Sequence, residues 1–126
     1  MVTSEVTQLT GECNAWREDL KKYRHEFTEL NEQLPKVAGR QTNRDILLEI
    51  EHLHNQLHIQ LINIHDLRQK IKIHNNRIGL EKAENKGRVS ELFLQKHEEL
   101  FDEFQTLENT LDELKQRYSE FLKFVE

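Results

Sequence analysis

Apolar residues recur along this chain at alternating steps of three and four, and three long runs of them are separated by short polar segments. The first run is Val2, Val6, Leu9, Cys13, Trp16, Leu20, Tyr23, Phe27, Leu30 and Leu34. Such steps return to one side of a helix with 3.6 residues per turn, so each run is a stripe that must be buried against something. The second run is Ile46, Ile50, Leu53, Leu57, Gln60, Ile64, Leu67, Ile71, His74 and Ile78, interrupted by two polar residues. The third is Phe93, His97, Leu100, Phe104, Leu107, Leu111, Leu114, Tyr118, Phe121 and Val125, interrupted by one. Leu47 and Leu61 beside the second stripe, and Phe101 and Leu122 beside the third, widen each enough to face two neighbours.

Punctuation between the runs sets the boundaries. Pro35 lacks an amide hydrogen and disfavours helical geometry before it, so the first helix is expected to end there, with "LPKVAGRQTN" as the turn. Thr42 and Asp45 have the spacing of a capping box for the second helix. That helix should stop between Gly79 and Gly87. Ser90 is the expected cap of the third, with Val89 and Leu94 placed to close as a hydrophobic staple. The sequence therefore predicts helices over about 3–34, 43–80 and 90–125. Short connections make consecutive helices antiparallel. The fold class expected is all-α: one domain spanning residues 1–126, an up-down-up three-helix bundle with coiled-coil-like helices up to roughly 50 Å long.

Three heptad helices of this total length, with Trp16 inside the first, resemble a spectrin-type repeat. The segments "EHLHNQLHIQLINIHDL" and "HEELFDEF" are also similar to small uncharacterised bacterial helical-bundle proteins. Both resemblances imply topology and neither implies an activity.

Charge narrows the partners. Lys and Arg number 18 against 23 Asp and Glu, a net charge of −5, which gives no reason to expect nucleic acid or an anionic membrane surface. No apolar run is long enough to span a bilayer, and the first residues lack the pattern of a signal peptide. The lone Cys13 excludes an internal disulfide, is read as excluding a cysteine-based zinc site, and fits a reducing, cytoplasmic setting. At its seam position it reads as a small core residue, not a reactive thiol.

The seven histidines are the chain's most distinctive chemistry. Glu51, His54 and His58 share one flank of the second helix, with His65 one heptad beyond His58, and imidazole and carboxylate donors at such spacing can hold Zn or Fe. Two Glu-x-x-His pairs occur, Glu49/His52 and Glu51/His54, but both lie on one helix and point in different directions, unlike a di-iron bundle. The simpler reading is of boundary residues with an apolar body and a polar edge. His74 and His97 differ, because each replaces an apolar residue in a seam. Folding the chain back between Gly79 and Ser90 sets them at nearly one level, where they are expected either to form a buried pair near Glu5 of the first helix that fixes register or to reach water independently at the end of the bundle. Gln60, in mid-bundle, is expected to be satisfied by a neighbouring side chain. All seven histidines together could more than neutralise the net charge in mild acid.

Nothing matches a phosphate loop, a nucleophile elbow or a paired-carboxylate site, and the serines lie at helix ends or on helical faces. The reading is of a non-enzymatic bundle serving as a protein-interaction or structural module, with a metal-binding bundle as the alternative. No cofactor is expected beyond that metal. The protein partner is unspecified and the state is monomer or homodimer. Two surfaces offer themselves: the acidic third helix, and the C-terminal cluster of Phe121, Leu122, Phe124 and Val125.

Overall fold

The three stripes close on one another. The computed structural model describes residues 2–84 and 88–125, with side chains from Glu5 onward, and contains α1 (Val2–Ala38), α2 (Arg44–Glu84) and α3 (Glu91–Val125). Every pair of helices is in contact. The bonds between them give the directions. On α1 and α3, Tyr23 pairs with Asp112 and Leu30 with Tyr118, so the two run parallel. On α2 and α3, Lys70 pairs with Glu103 and Arg117 with Glu49, so these two run opposite ways. The chain is an all-α, up-down-up three-helix bundle, and no strand occurs among the described residues.

The core is the seam residues. Cys13, Leu20, Phe27, Leu34, Leu53, Leu57, Ile64, Ile71 and Leu111 have no exposed surface, and Trp16 is buried beside them. Val6, Tyr23, Leu30, Ile46, Leu61, Leu107, Leu122 and Val125 pack on this core half-buried. The side chain of Val2 lies outside the described residues. Tyr118 is buried to its hydroxyl, which donates to the Leu30 carbonyl at 3.0 Å and lies 3.0 Å from Gln33 Oε1. Burial pushes that phenol up to about 12.

Three boundaries differ from the sequence expectation, the third being the end of α2, at Glu84 and not near residue 80. Helix α1 does not end at Pro35 but runs through it to Ala38. A proline in the last turn forfeits only its own amide bond, and the buried Leu34 together with Val37 and Ala38 on the core holds the continuation. The Gly39 amide then donates to the Pro35 carbonyl at 3.0 Å, so the proline still serves as an acceptor. The cap of α2 is Asn43, not Thr42: its Oδ1 accepts from the amides of Asp45 at 2.9 Å and Ile46 at 3.2 Å. Both residues have side chains able to cap, and the final turn of the connection decides which one points back.

The α2 to α3 connection is pinned at both ends. Helix α2 continues through Gly79 to Glu84, and Gly87 lies outside the described residues. Ser90 caps α3 as its sequence implies, with Oγ accepting from the Phe93 amide at 3.1 Å. The same hydroxyl donates to the Glu81 carboxylate at 2.6 Å, which ties the end of α2 to the start of α3.

Replacing Asn43 by Ala should lower stability by about 1 kcal/mol, read as a fall in urea midpoint at constant slope, whereas Thr42→Ala should change it by only a few tenths. Equal losses at the two positions would contradict the assignment of the cap.

Candidate metal centre

Near the end of the bundle where α1 begins, the core becomes polar. His74 of α2 and His97 of α3 are buried, and His74 Nε2 lies 3.0 Å from His97 Nδ1. The other nitrogen of His97, Nε2, lies 3.1 Å from Glu12 Oε1 of α1. The first-helix carboxylate facing the pair is therefore Glu12, two turns beyond the expected Glu5. An ionised carboxylate only accepts, so Nε2 of His97 carries a proton. With a neutral His97 ring, Nδ1 is then a lone pair, and His74 Nε2–H donates to it.

Aromatic rings close this network off. His74 lies flat on Phe93, with centroids 4.3 Å apart and planes 8° from parallel. Trp16 lies 4.8 Å from the His97 ring and packs against Phe101 and Phe104 on its other sides. Cys13, one turn before Trp16 and fully buried, completes the group. One donor atom each of Cys13, His74 and His97 lies within 4.8 Å of the other two.

These distances have a chemical meaning. A tetrahedral ion with bonds of about 2.0 Å to nitrogen and 2.3 Å to sulfur holds its donors about 3.3–3.6 Å apart. The donors here bracket that range, the two nitrogens at 3.0 Å and all three within 4.8 Å of one another. The Glu12 carboxylate stands where metal-bound histidines keep their outer partner, on the nitrogen the metal does not use. A hollow of about 370 Å³, lined in part by Glu5, Glu12, Trp16 and His97, opens beside it.

Burial favours the uncharged forms of His74 and Cys13. Burial first, then the neighbouring His97 and Lys96, lowers His74 from 6.5 to about 4. Burial and the nearby Glu12 charge, partly opposed by Arg17, push the Cys13 thiol up to about 11. At neutral pH this is a protonated thiol and not a nucleophile.

The other histidines stand apart. Glu51, His54, His58 and His65 are all exposed on α2, and His52 is exposed as well. Among the described residues, the group of three or more metal-donor side chains that comes together is Cys13, His74 and His97, not these four. The sequence allows His74 and His97 either to pair or to reach water separately, and the structure pairs them. The sequence expectation that a single cysteine rules out a zinc site with a sulfur donor is corrected, because two imidazoles from other helices complete the group around Cys13. Its seam position on α1 was visible, but its level against α3 depends on the lengths of two connections. Gln60 is buried, and its Oε1 accepts from Asn63 Nδ2 at 3.1 Å, a partner on its own helix and not on a neighbour.

No protein-family model matches the chain, and neither a curated protein nor a solved structure is similar to it.

The depressed His74 fixes the sign of a pH effect. The unfolded chain takes up this proton near 6.5 and the folded chain only near 4, so the contribution is fully present above 6.5 and is lost as pH falls toward 4. Chelator-treated protein should lose on the order of 3 kcal/mol across that window. His74→Phe, which keeps a ring on Phe93, should flatten the slope in urea titrations, and an unchanged slope would contradict the assignment.

Proposed function

We propose that this protein is a non-enzymatic helical bundle, a structural module that binds a borderline-soft divalent metal ion, zinc(II) foremost, between its three helices. The observation that carries the reading is the donor set itself. One thiol and two imidazoles, one from each helix, converge in the core, and a carboxylate stands on the outer nitrogen of one imidazole. Thiolate with imidazole suits zinc, whereas an iron site of the bundle type needs several carboxylates facing inward. Binding requires the Cys13 proton to leave and the His74 proton to move from Nε2 to Nδ1, so one proton is released per ion. An ion held this way ties α1, α2 and α3 at a common level, and its binding energy becomes folding energy. A thiol that must stay reduced suits a cytoplasmic setting.

The reading is tested with untagged full-length protein, stripped of metal and titrated with cobalt(II). One equivalent should give the sulfur-to-cobalt charge-transfer band and the visible bands of a tetrahedral site, which zinc then displaces. Zinc at about a hundredfold over its dissociation constant should stabilise the fold by about 3 kcal/mol. Cys13→Ser should remove the charge-transfer band, and Glu12→Gln should weaken binding about ten- to a hundredfold. A variant with His54, His58 and His65 all changed to Ala should bind as the parent does. No charge-transfer band with the parent protein, or a band that survives Cys13→Ser, would overturn the proposal.

A further inference from the structure

Helix α2 carries a second seam. Two residues beyond positions of its buried seam, about 200° around the helix, lie Leu48, Ile59, Ile62, Ile73 and, at the end of the line, Leu80, which the pairing described below leaves past the contact. Leu48, Ile59, Ile62 and Ile73 have 53%, 46%, 49% and 62% of their surfaces exposed, and Ile73 stands at the edge of a groove shared with Glu99 and Leu100 of α3. Between them on the same line stand Asp45, His52, Asn55, Asp66, Gln69 and Asn76, all exposed. The line keeps the three-and-four spacing from Asp45 to Asn76, about 45 Å of helix. Isolated exposed apolar residues need no explanation, but a heptad line of them on the outer side of a bundle does.

We infer that this face of α2 is the interface of a homodimer, in which α2 packs antiparallel on α2 of a second copy about a twofold axis between Gln60 and Leu61. The line is self-complementary in that register. Ile59 meets Ile62 of the second copy, and Leu48 meets its Ile73. The polar positions also meet one another: Asn55 faces Asp66, His52 faces Gln69, and Asp45 faces Asn76. No apolar residue on the line between Asp45 and Asn76 is set against a polar one.

The flanks agree. In antiparallel pairs the positions beside the seam face their own kind across the axis. On one side Glu51 comes to Lys72 of the second copy and His58 to its His65. On the other, Glu49 comes to Lys70 and Gln56 to Asn63. Glu51 and Lys72 are exposed, and no ion pair among the described residues uses them. Glu49 and Lys70 lie toward α3, where Arg117 at 3.6 Å and Glu103 at 3.0 Å already neutralise them. The free, oppositely charged flank is thus the one the dimer would satisfy.

Other arrangements fail on the same residues. A shift of one heptad toward the C-terminus sets Ile62 against Asp66, Ile59 against Gln69 and Ile73 against Asn55. A shift the other way sets Leu48 against Asp66. A parallel pair places Asp66 against Asp66 and brings Lys72 to Arg77. The dimer contact is distinct from the metal centre, whose donors face the core.

The test is the mass of the full-length protein in solution by sedimentation equilibrium, with and without chelator. A dimer of the 15.2 kDa chain is expected in both. Glu51→Lys should weaken the dimer at least about tenfold, because two pairs become repulsive, and Lys72→Glu should do the same. The double variant Glu51→Lys/Lys72→Glu should restore the dimer, which only this register and direction explain. Ile62→Asp should leave a monomer with unchanged helical circular dichroism, since the position is exposed. A monomer at all concentrations up to millimolar, a dimer indifferent to Glu51→Lys and Ile62→Asp, or a double variant no better than the singles would each overturn the inference.

Discussion

A seam that repeats every seven residues buries its oil well and specifies its alignment poorly. Slide α2 by seven residues along α1 and α3, and leucines and isoleucines again meet leucines and phenylalanines. What the slide cannot reproduce is the set of polar groups that have been taken out of water. His97 bonded to both His74 and Glu12, and the Tyr118 hydroxyl on the Leu30 carbonyl, each require one level of one helix against another. A slipped register leaves those groups buried without partners, at about 1–3 kcal/mol each. The apolar stripes therefore supply the drive to close and the polar insertions choose where.

The same division explains why the polar end of the core is chemically interesting. A polar group in a seam can be satisfied modestly, as Gln60 is by Asn63 of its own helix, a bond that leaves register unspecified. The His74–His97 level has more than register requires: a thiol with no exposed surface within reach of both rings, a carboxylate on the remaining imidazole nitrogen, and a hollow beside that carboxylate and His97. Because each helix contributes one donor, whatever binds there acts on the packing of all three helices.

Legibility varied with the range of the forces involved. The three helices, their buried stripes and the Ser90 cap could be read because they depend on neighbours three or four residues away. The common level of His74 and His97 could be read because one short connection joins their helices. Pro35 misled, because the local cost of proline was outweighed by Leu34, Val37 and Ala38 packing on distant residues. Asn43 and Thr42 are chemically alike as caps, and only the path of the connection separates them. The stretch rich in histidine, "EHLHNQLHIQLINIHDL", drew attention to Glu51, His54, His58 and His65, which the fold leaves at the surface.

By itself the sequence determined that this chain forms long amphipathic helices and buries one face of each, because hydrophobic periodicity is a local property that any partner must satisfy. Only the tertiary structure decided that Cys13 and Glu12 of the first helix stand at the level of His74 and His97. That level is the sum of two connections and three helix lengths, and a shift of one turn, about 5.4 Å, would have moved every donor out of reach.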